Sequence, residues 1–539
     1  MNPVHRIARL ERSLSGAGTA PESVALALSA YGLAAEFVPE AAGGRLRRAE
    51  ELHQVVRTVL RRGLPEAAGH ELGGFPSAVR IWSGGSRVQQ RRAAALLLRG
   101  DWLAPAGGGA AVSPAAFTAR TRPGGLCLSA GRGTAPPPHG CRALIVTARH
   151  GAGGQGRDHT ALLLAPHELP PVGHSRTVSW DAVIDRPGAG LELALRSSRV
   201  THGVHASAVL ARFDSLLRGA VAPARQTSGP GPAGPTRPDV LTGAFLDLLV
   251  SDSVTLCAAR AAHLLPDWAS VCSAAAGYLA ERLLTETGHD LTTVLEGARF
   301  GSARRYEEYA HRLGALAAPL WPTQDEVSPQ SVLIARLPAC AHRLVLTADG
   351  RDEPVPQALF RPDAPLPALD LERPIRCSRP TRTDALLDSL VRHAAGIGYA
   401  GDLASHPGCR TALAGVLNRL VAAIAELSEA CAPLEAAGHG ALTGPYARSL
   451  ADRYALLVAA AACVGVWWQQ RAYTRGFLSE SCWLTAALHR IAGLLGAAPP
   501  EAPDSCLHRV HEEVLARFDG GLSYDLRATP LAGPTTLDG

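Results

Sequence analysis

The sequence predicts a mainly α-helical protein with one small antiparallel β domain set between helical regions. Three observations predict it. Residues 1–103, 188–340 and 379–539 repeat their apolar residues at helical spacing. Residues 104–187 break that period with frequent glycine and proline and with several short β-prone runs. Residues 341–378 are proline-rich and irregular, the composition of a linker crossing a surface. The expected order is an N-terminal helical domain (1–103), a β domain (104–187), a helical bundle (188–340), the linker (341–378) and a C-terminal helical domain (379–539).

In the first domain, residues 50–62 place Leu52, Val55, Val56 and Val59 on one helical face and arginines on another. A second helix is expected over 86–99, with Gly100 as its stop. In the β domain the strand-like runs are 115–121, 125–129, 143–147 and 160–164. Pro123-Gly124-Gly125 and Pro136-Pro137-Pro138 are turn signals between them. A long Ala/Leu-rich helix follows over 191–224, then a Gly/Pro loop at 228–238 and helices at 240–264 and 268–287. Residues 382–519 are helical again, and the tail from Gly520 has turn composition. No internal repeat of fixed period stands out.

The chain has 539 residues, 47% hydrophobic and 19% charged, which permits a large core and excludes global disorder. A net charge of +5 is too small to argue for nucleic acid or an anionic membrane surface. There is no lysine, so all 53 basic residues other than histidine are arginine. That removes the Walker A phosphate loop and Schiff-base chemistry, both of which require a lysine amine. No Gly-x-Ser-x-Gly elbow supports a serine hydrolase. The 11 cysteines include no Cys-x-x-Cys pair and are read as reduced, mostly buried thiols in a cytoplasmic protein. The N-terminus shows no secretory h-region. The longest apolar run, 454–468, is shorter than the ~20 residues of a spanning helix and is expected to be a core helix.

Four local patterns invite functional readings. Residues 151–156 (GAGGQG) match Gly-x-Gly-x-x-Gly, but a strand rather than a helix follows, so a hairpin loop is expected. His202 and His205 have a spacing that can share a metal, yet no third ligand lies nearby, and they are read as helix histidines packing on a neighbour. His508 and His511 repeat the spacing without forming the zinc motif His-Glu-x-x-His, since Leu515 stands at the last position, and are assigned to a solvated face. Trp467, Trp468 and Trp483 are expected to fill the core rather than line a pocket. No metal ligand set is assigned.

Segment order and three strings then carry a resemblance. Residues 82–102 (WSGGSRVQQRRAAALLLRGDW) precede a β region containing Phe117-Thr118-Ala119-Arg120, 125–131 (GLCLSAG) and 142–147 (RALIVT). Residues 188–199 (GAGLELALRSSR) follow. Together these resemble the acyl-CoA dehydrogenase and oxidase superfamily over about residues 1–340, with residues 376–539 as an added helical domain. The resemblance implies FAD bound between β domain and bundle. It also implies α,β-dehydrogenation of an acyl-CoA or carrier-protein-bound thioester, in a homodimer or homotetramer, without nucleic acid or a membrane span. It places the base at Asp325 or Glu326 and the cofactor contacts at Gly108, Gly109, Arg132, Thr134, Arg225 and Gly297.

The chain departs from the family's strings at several of these contacts. The family's Thr-Glu-Pro string reads Leu103-Ala104-Pro105 here, Gly133 stands at its flavin-packing Trp, and its Arg-x-x-Phe-Gly string reads Thr227-Ser228-Gly229-Pro230-Gly231. These substitutions motivate two alternatives. One is a flavin-less homologue performing a non-redox step on a thioester; the other is a non-catalytic partner subunit of an active dehydrogenase.

Overall fold

A computed structural model describes residues 3–17, 20–62, 72–101, 103–106, 116–132, 134, 136–137, 140–150, 159–226, 238–297, 303–321, 327–341, 355–362, 364–373, 384–399, 407–437, 439–473, 475–496 and 502–532. Among them the chain forms fifteen α-helices around one small sheet. The N-terminal helices are α1 (Pro3–Ala17), α2 (Pro21–Tyr31), α3 (Ala49–Leu60), α4 (Phe75–Gly84) and α5 (Arg87–Leu98). Leu52, Val55, Val56 and Val59 of α3 are buried, as the helical spacing predicted. Ser86 caps α5 in a reciprocal box with Gln89, and Gly100 (φ +81°) ends it in the left-handed conformation that favours glycine.

The strands are β1 (Leu103–Pro105), β2 (Phe117–Arg122), β3 (Gly125–Ala130), β4 (Ala143–His150), β5 (His159–Leu164) and β6 (Ser175–Val178). β2–β3, β3–β6 and β4–β5 pair antiparallel. The sheet is nevertheless mixed, because β4 runs parallel to β1 along its first half and to β2 at its end. Local turn signals predict the hairpins but carry no information about which distant strand β4 lies beside, so a purely antiparallel domain was the wrong inference. Residues 151–158 join the antiparallel pair β4–β5, where a strand rather than a dinucleotide-binding helix follows. Alternation sets the two faces. Leu103, Ala143, Ile145, Ala161 and Leu163 join the main helical core, while Val146, Ala148, Leu162 and Leu164 close a second cluster with Phe117, Leu126 and Leu128.

The bundle is built on α6 (Gly190–Gln226), α7 (Pro238–Leu264) and α8 (Pro266–Gly297), followed by α9 (Ala303–Gly314) and α10 (Pro329–Cys340). The C-terminal helices are α11 (Ala385–Tyr399), α12 (Pro407–Ala437), α13 (Pro445–Tyr473), α14 (Ser481–Leu494) and α15 (Asp504–Asp519). They share one continuous core with the N-terminal helices and the bundle. Trp467 and Trp483 are fully buried there and Trp468 is half-buried, so core filling accounts for them. By length and composition three helical stretches, Asp239–Leu264, Cys409–Leu434 and Pro445–Tyr473, are apolar enough to cross a membrane, which the unbroken-run criterion overlooked. The first and third are packed inside the protein (89% and 83% buried), and the second is 39% buried.

Two segments sit deeper than their composition suggests. In the proline-rich stretch Leu359 and Phe360 are buried, and Arg260, itself fully buried, donates to the carbonyls of Ala358, Pro362 and Ala364 while pairing with Glu50. The tail after α15 also enters the core: Ser523 and Tyr524 have no exposed surface. Arg218 and Arg517 hold its carbonyls, and Asp214 and Asp252 accept from its backbone N–H groups at Tyr524 and Leu526.

Candidate functional site

The resemblance places the reaction between the sheet and the bundle. α6 begins against β5, where a side chain at Gly190 would collide with the His159 backbone. The base candidates Asp325 and Glu326 lie outside the described residues, but both flanks of their segment are fixed to α6. On one side Trp321 packs against the His205 ring, centroids 6.3 Å apart. On the other, His202 Nε2–H donates to the Val327 carbonyl at 2.8 Å. Farther along α6, Arg212 donates to the carbonyls of Leu316 and Ala318 at 3.2 and 2.6 Å. One helix therefore holds the described residues on both flanks of the acids.

Burial sets the protonation of that grip. It lowers His202 to about 4, outweighing the bond to Val327, and lowers His205 to about 4, with Arg212 and His202 adding to the effect. Both rings are neutral near pH 7. Because a carbonyl only accepts, His202 carries its proton on Nε2. Its buried Nδ1 is then a bare acceptor with no hydrogen-bond partner among the described residues. The sequence reading of this pair as histidines packing on a neighbour agrees with these contacts. His508 pairs with Glu512 on an exposed face, while His511 is half-buried beside Thr242.

The expected cofactor contacts fall in separate parts of the chain. Gly108 and Gly109 lie outside the described residues, and Gly297 is the last residue of α8. Arg132 is exposed in the turn after β3. The Thr134 hydroxyl lies 3.0 and 2.8 Å from the Ala116 and Gly131 carbonyls, so its only proton is committed to the β domain's own backbone. Arg225 is exposed and ion-paired with Asp519 of α15. It stands at the far end of α6, where the resemblance has the corresponding Arg meet the FAD of a partner subunit rather than of its own chain. Leu103 and Ala104 are buried in β1 and offer no side-chain donor. Among the described residues, therefore, the donor set does not fit an isoalloxazine ring held in the family's manner.

A second locus, which local sequence patterns did not disclose, is a cavity of about 580 Å³ between α1, α3 and the C-terminal tail. Arg57, Arg61, Asp525 and Arg527 are among its lining residues. Arg57 Nη2 donates to Asp252 at 2.5 Å, Arg61 Nε to Asp214 at 2.8 Å, and Arg61 Nη2 to Asp525 at 3.1 Å. Burial alone would raise Asp525, but Arg61 and Arg57 hold it below the usual carboxylate range. At Asp214 burial wins over Arg61 and raises it. Glu50, paired with Arg260 and Arg527, is likewise raised by burial. Each carboxylate has a guanidinium partner, so this network clasps α3, α6, α7 and the tail and presents no free base.

No protein-family model and no curated protein matches the chain. Solved structures do. The chain is similar to an acyl-CoA dehydrogenase from Bacillus anthracis complexed with FAD, with a TM-score of 0.63 and 11% identity over 96% of this chain and 94% of that one. It is also similar to PigA with FAD and proline, with a TM-score of 0.51 and 15% identity over 62% of this chain and 96% of that one. With helical domain, β domain and bundle in the same order, the chain has the acyl-CoA dehydrogenase fold.

Proposed function

We propose that this protein acts on an acyl thioester in the cleft between β domain and bundle by proton transfer at the α-carbon, without the flavin grip of its structural relatives. The observation that carries this reading is the fixation of the acid-bearing connection on α6 by His202 and by the His205–Trp321 contact. A general base must be held within hydrogen-bond reach of the proton it removes, and fixed flanks on both sides of the two acids support that role. Asp325 or Glu326 is the base in this reading. The donors a flavin ring would use are replaced by Leu103 and Ala104 or, at Thr134, directed to protein carbonyls. Abstraction followed by return of the proton, or by loss of a β-substituent, gives isomerisation or elimination with no net redox change.

The experiment is α-hydrogen exchange. The purified full chain is incubated in D2O with a saturated acyl-CoA, and deuterium at the α-carbon is followed by mass spectrometry. Exchange that falls at least ~100-fold in Asp325→Asn or Glu326→Gln supports the reading. Exchange at the buffer rate with the wild-type chain and a panel of chain lengths overturns it.

A second reading is FAD-dependent α,β-dehydrogenation, favoured by the fold shared with the FAD-complexed Bacillus anthracis enzyme. Acyl-CoA-dependent bleaching of a bound yellow cofactor is its signature. A homodimer or homotetramer in the cytoplasm is the proposed working form under either reading.

A further inference from the structure

The C-terminal helical region holds a cluster of cysteines that the thioester reading does not use. Cys409, Cys482 and Cys506 form a small buried group, 0%, 4% and 0% exposed, separate from the main core. They come from chain positions up to 97 residues apart, so no local spacing announces them. A disulfide joins Cys409 and Cys506, Cys482 Sγ lies 3.7 Å from Cys409 Sγ, and all three sulfurs fall within 4.8 Å of one another. The disulfide departs from the expectation of reduced, mostly buried thiols, which Cys141, Cys257, Cys272, Cys340, Cys431 and Cys463 do satisfy.

Each of the three occupies the first turn of its own helix. Cys409 is the third residue of α12, Cys482 the second of α14, and Cys506 the third of α15. A helix N-terminus carries roughly half a positive charge and favours thiolate over thiol. Three such ends at three sulfurs offset part of the cost that burial and the Glu480 carboxylate put on a thiolate there. The neighbouring carboxylate, Glu480, is held by Arg509 at 2.8 Å through both oxygens and is not offered to the cluster. The Cα atoms of Cys409 and Cys506 are 7.0 Å apart, just beyond the usual ~4.4–6.8 Å of a disulfide. Cys482 stands against that disulfide as a third, free thiol.

We propose that Cys409, Cys482 and Cys506 bind one soft d10 cation as three thiolates. Sulfur ligands at about 2.3 Å from a metal stand close to 4 Å from one another, which matches the Cys409–Cys482 spacing. A thiol reductant first supplies two electrons and two protons to open the Cys409–Cys506 bond and is itself oxidised to a disulfide; the three thiols then release three protons as three S–metal bonds form, with the cation's oxidation state unchanged. Among the described residues no histidine or carboxylate completes a fourth position. Burial and three-coordination favour Cu+ over Zn2+, which ordinarily takes four ligands. The cation ties the N-termini of α12, α14 and α15 together.

The test uses the full chain, purified anaerobically with reductant and stripped of metal. Cu+ alone and Zn2+ alone are titrated in separate arms, read by thiolate-to-metal charge-transfer absorption and by elemental analysis after desalting. One equivalent per chain is expected, with tighter retention of Cu+. Cys482→Ala should weaken binding at least ~100-fold, and Cys431→Ala, a buried cysteine outside the cluster, should not change it. Should the cluster variant misfold, alkylation mapping of the wild-type chain decides the matter. Cation must protect Cys409, Cys482 and Cys506 together. A Cys409–Cys506 disulfide persisting in the anaerobic protein, no stoichiometric binding after reduction, or binding unchanged by Cys482→Ala overturns the proposal.

Discussion

Replacing Arg57 by alanine probes the charged clasp most sharply. Its guanidinium donates to Asp252 at 2.5 Å and to Ser207 at 3.4 Å, and stands 3.6 Å from Asp525. Asp252 is 2% exposed, and without Arg57 its strongest remaining partner is the Leu526 N–H at 2.7 Å. A buried carboxylate stripped of its cation costs about 3–5 kcal/mol, far more than a surface pair at ~0–1 kcal/mol. The expected result of urea unfolding is therefore a loss of about 3–5 kcal/mol in Arg57→Ala. The double variant Arg57→Met/Asp252→Leu removes both charges at similar volume and should recover much of that loss, with a coupling of about 1–3 kcal/mol. An Arg57→Ala chain within ~1 kcal/mol of wild type, or a double variant no better than the sum of the singles, would refute the assignment of Arg57 as the buried counter-charge of Asp252.

Two other perturbations follow from the same packing. Burial lowers His53 to about 3 and His202, His205 and His263 to about 4. Since the unfolded chain takes up these protons near 6.5, the stability they contribute is complete above that pH. It is lost as pH falls toward 4, so the unfolding temperature should drop steeply across pH 6.5 to 4 and stay nearly flat from 6.5 to 8. His263 locates part of the damage: its Nε2 accepts from the Ala49 N–H at the start of α3 (3.1 Å), a bond that protonation abolishes. Gly465→Ala should destabilise by about 1–3 kcal/mol in denaturant titration, because the added Cβ would lie 2.4 Å from the Phe360 ring. An unchanged midpoint would show that the buried proline-rich stretch yields instead.

Much of this architecture is legible wherever the signal is local. The apolar face of α3, the capping box at Ser86 and the stop at Gly100 are each set by residues a few positions apart. What escaped is what distant partners decide. The tail from Gly520 has turn composition, yet Asp214, Arg218, Asp252 and Arg517 draw its backbone into the core. The stretch around Phe360 is irregular in sequence but is held by Arg260, about 100 residues earlier. Of the expected site, Arg225 has an identifiable partner in Asp519 that no local pattern indicates, and Thr134 turns its hydroxyl inward. His202 and His205 pack on a neighbouring segment as their reading as packing histidines expected, but the partners, Val327 and Trp321, lie more than 100 residues on and no local pattern names them. The three cysteines converge only after three separate helices have packed.

The most direct test of thioester chemistry in this fold without a flavin grip is the visible absorption spectrum of the purified full chain, recorded before and after incubation with FAD and removal of unbound ligand. A colourless protein that retains no flavin is the expected result. Stoichiometric flavin absorption, whether present on isolation or acquired from added FAD, would contradict it and return the dehydrogenase reading to first place.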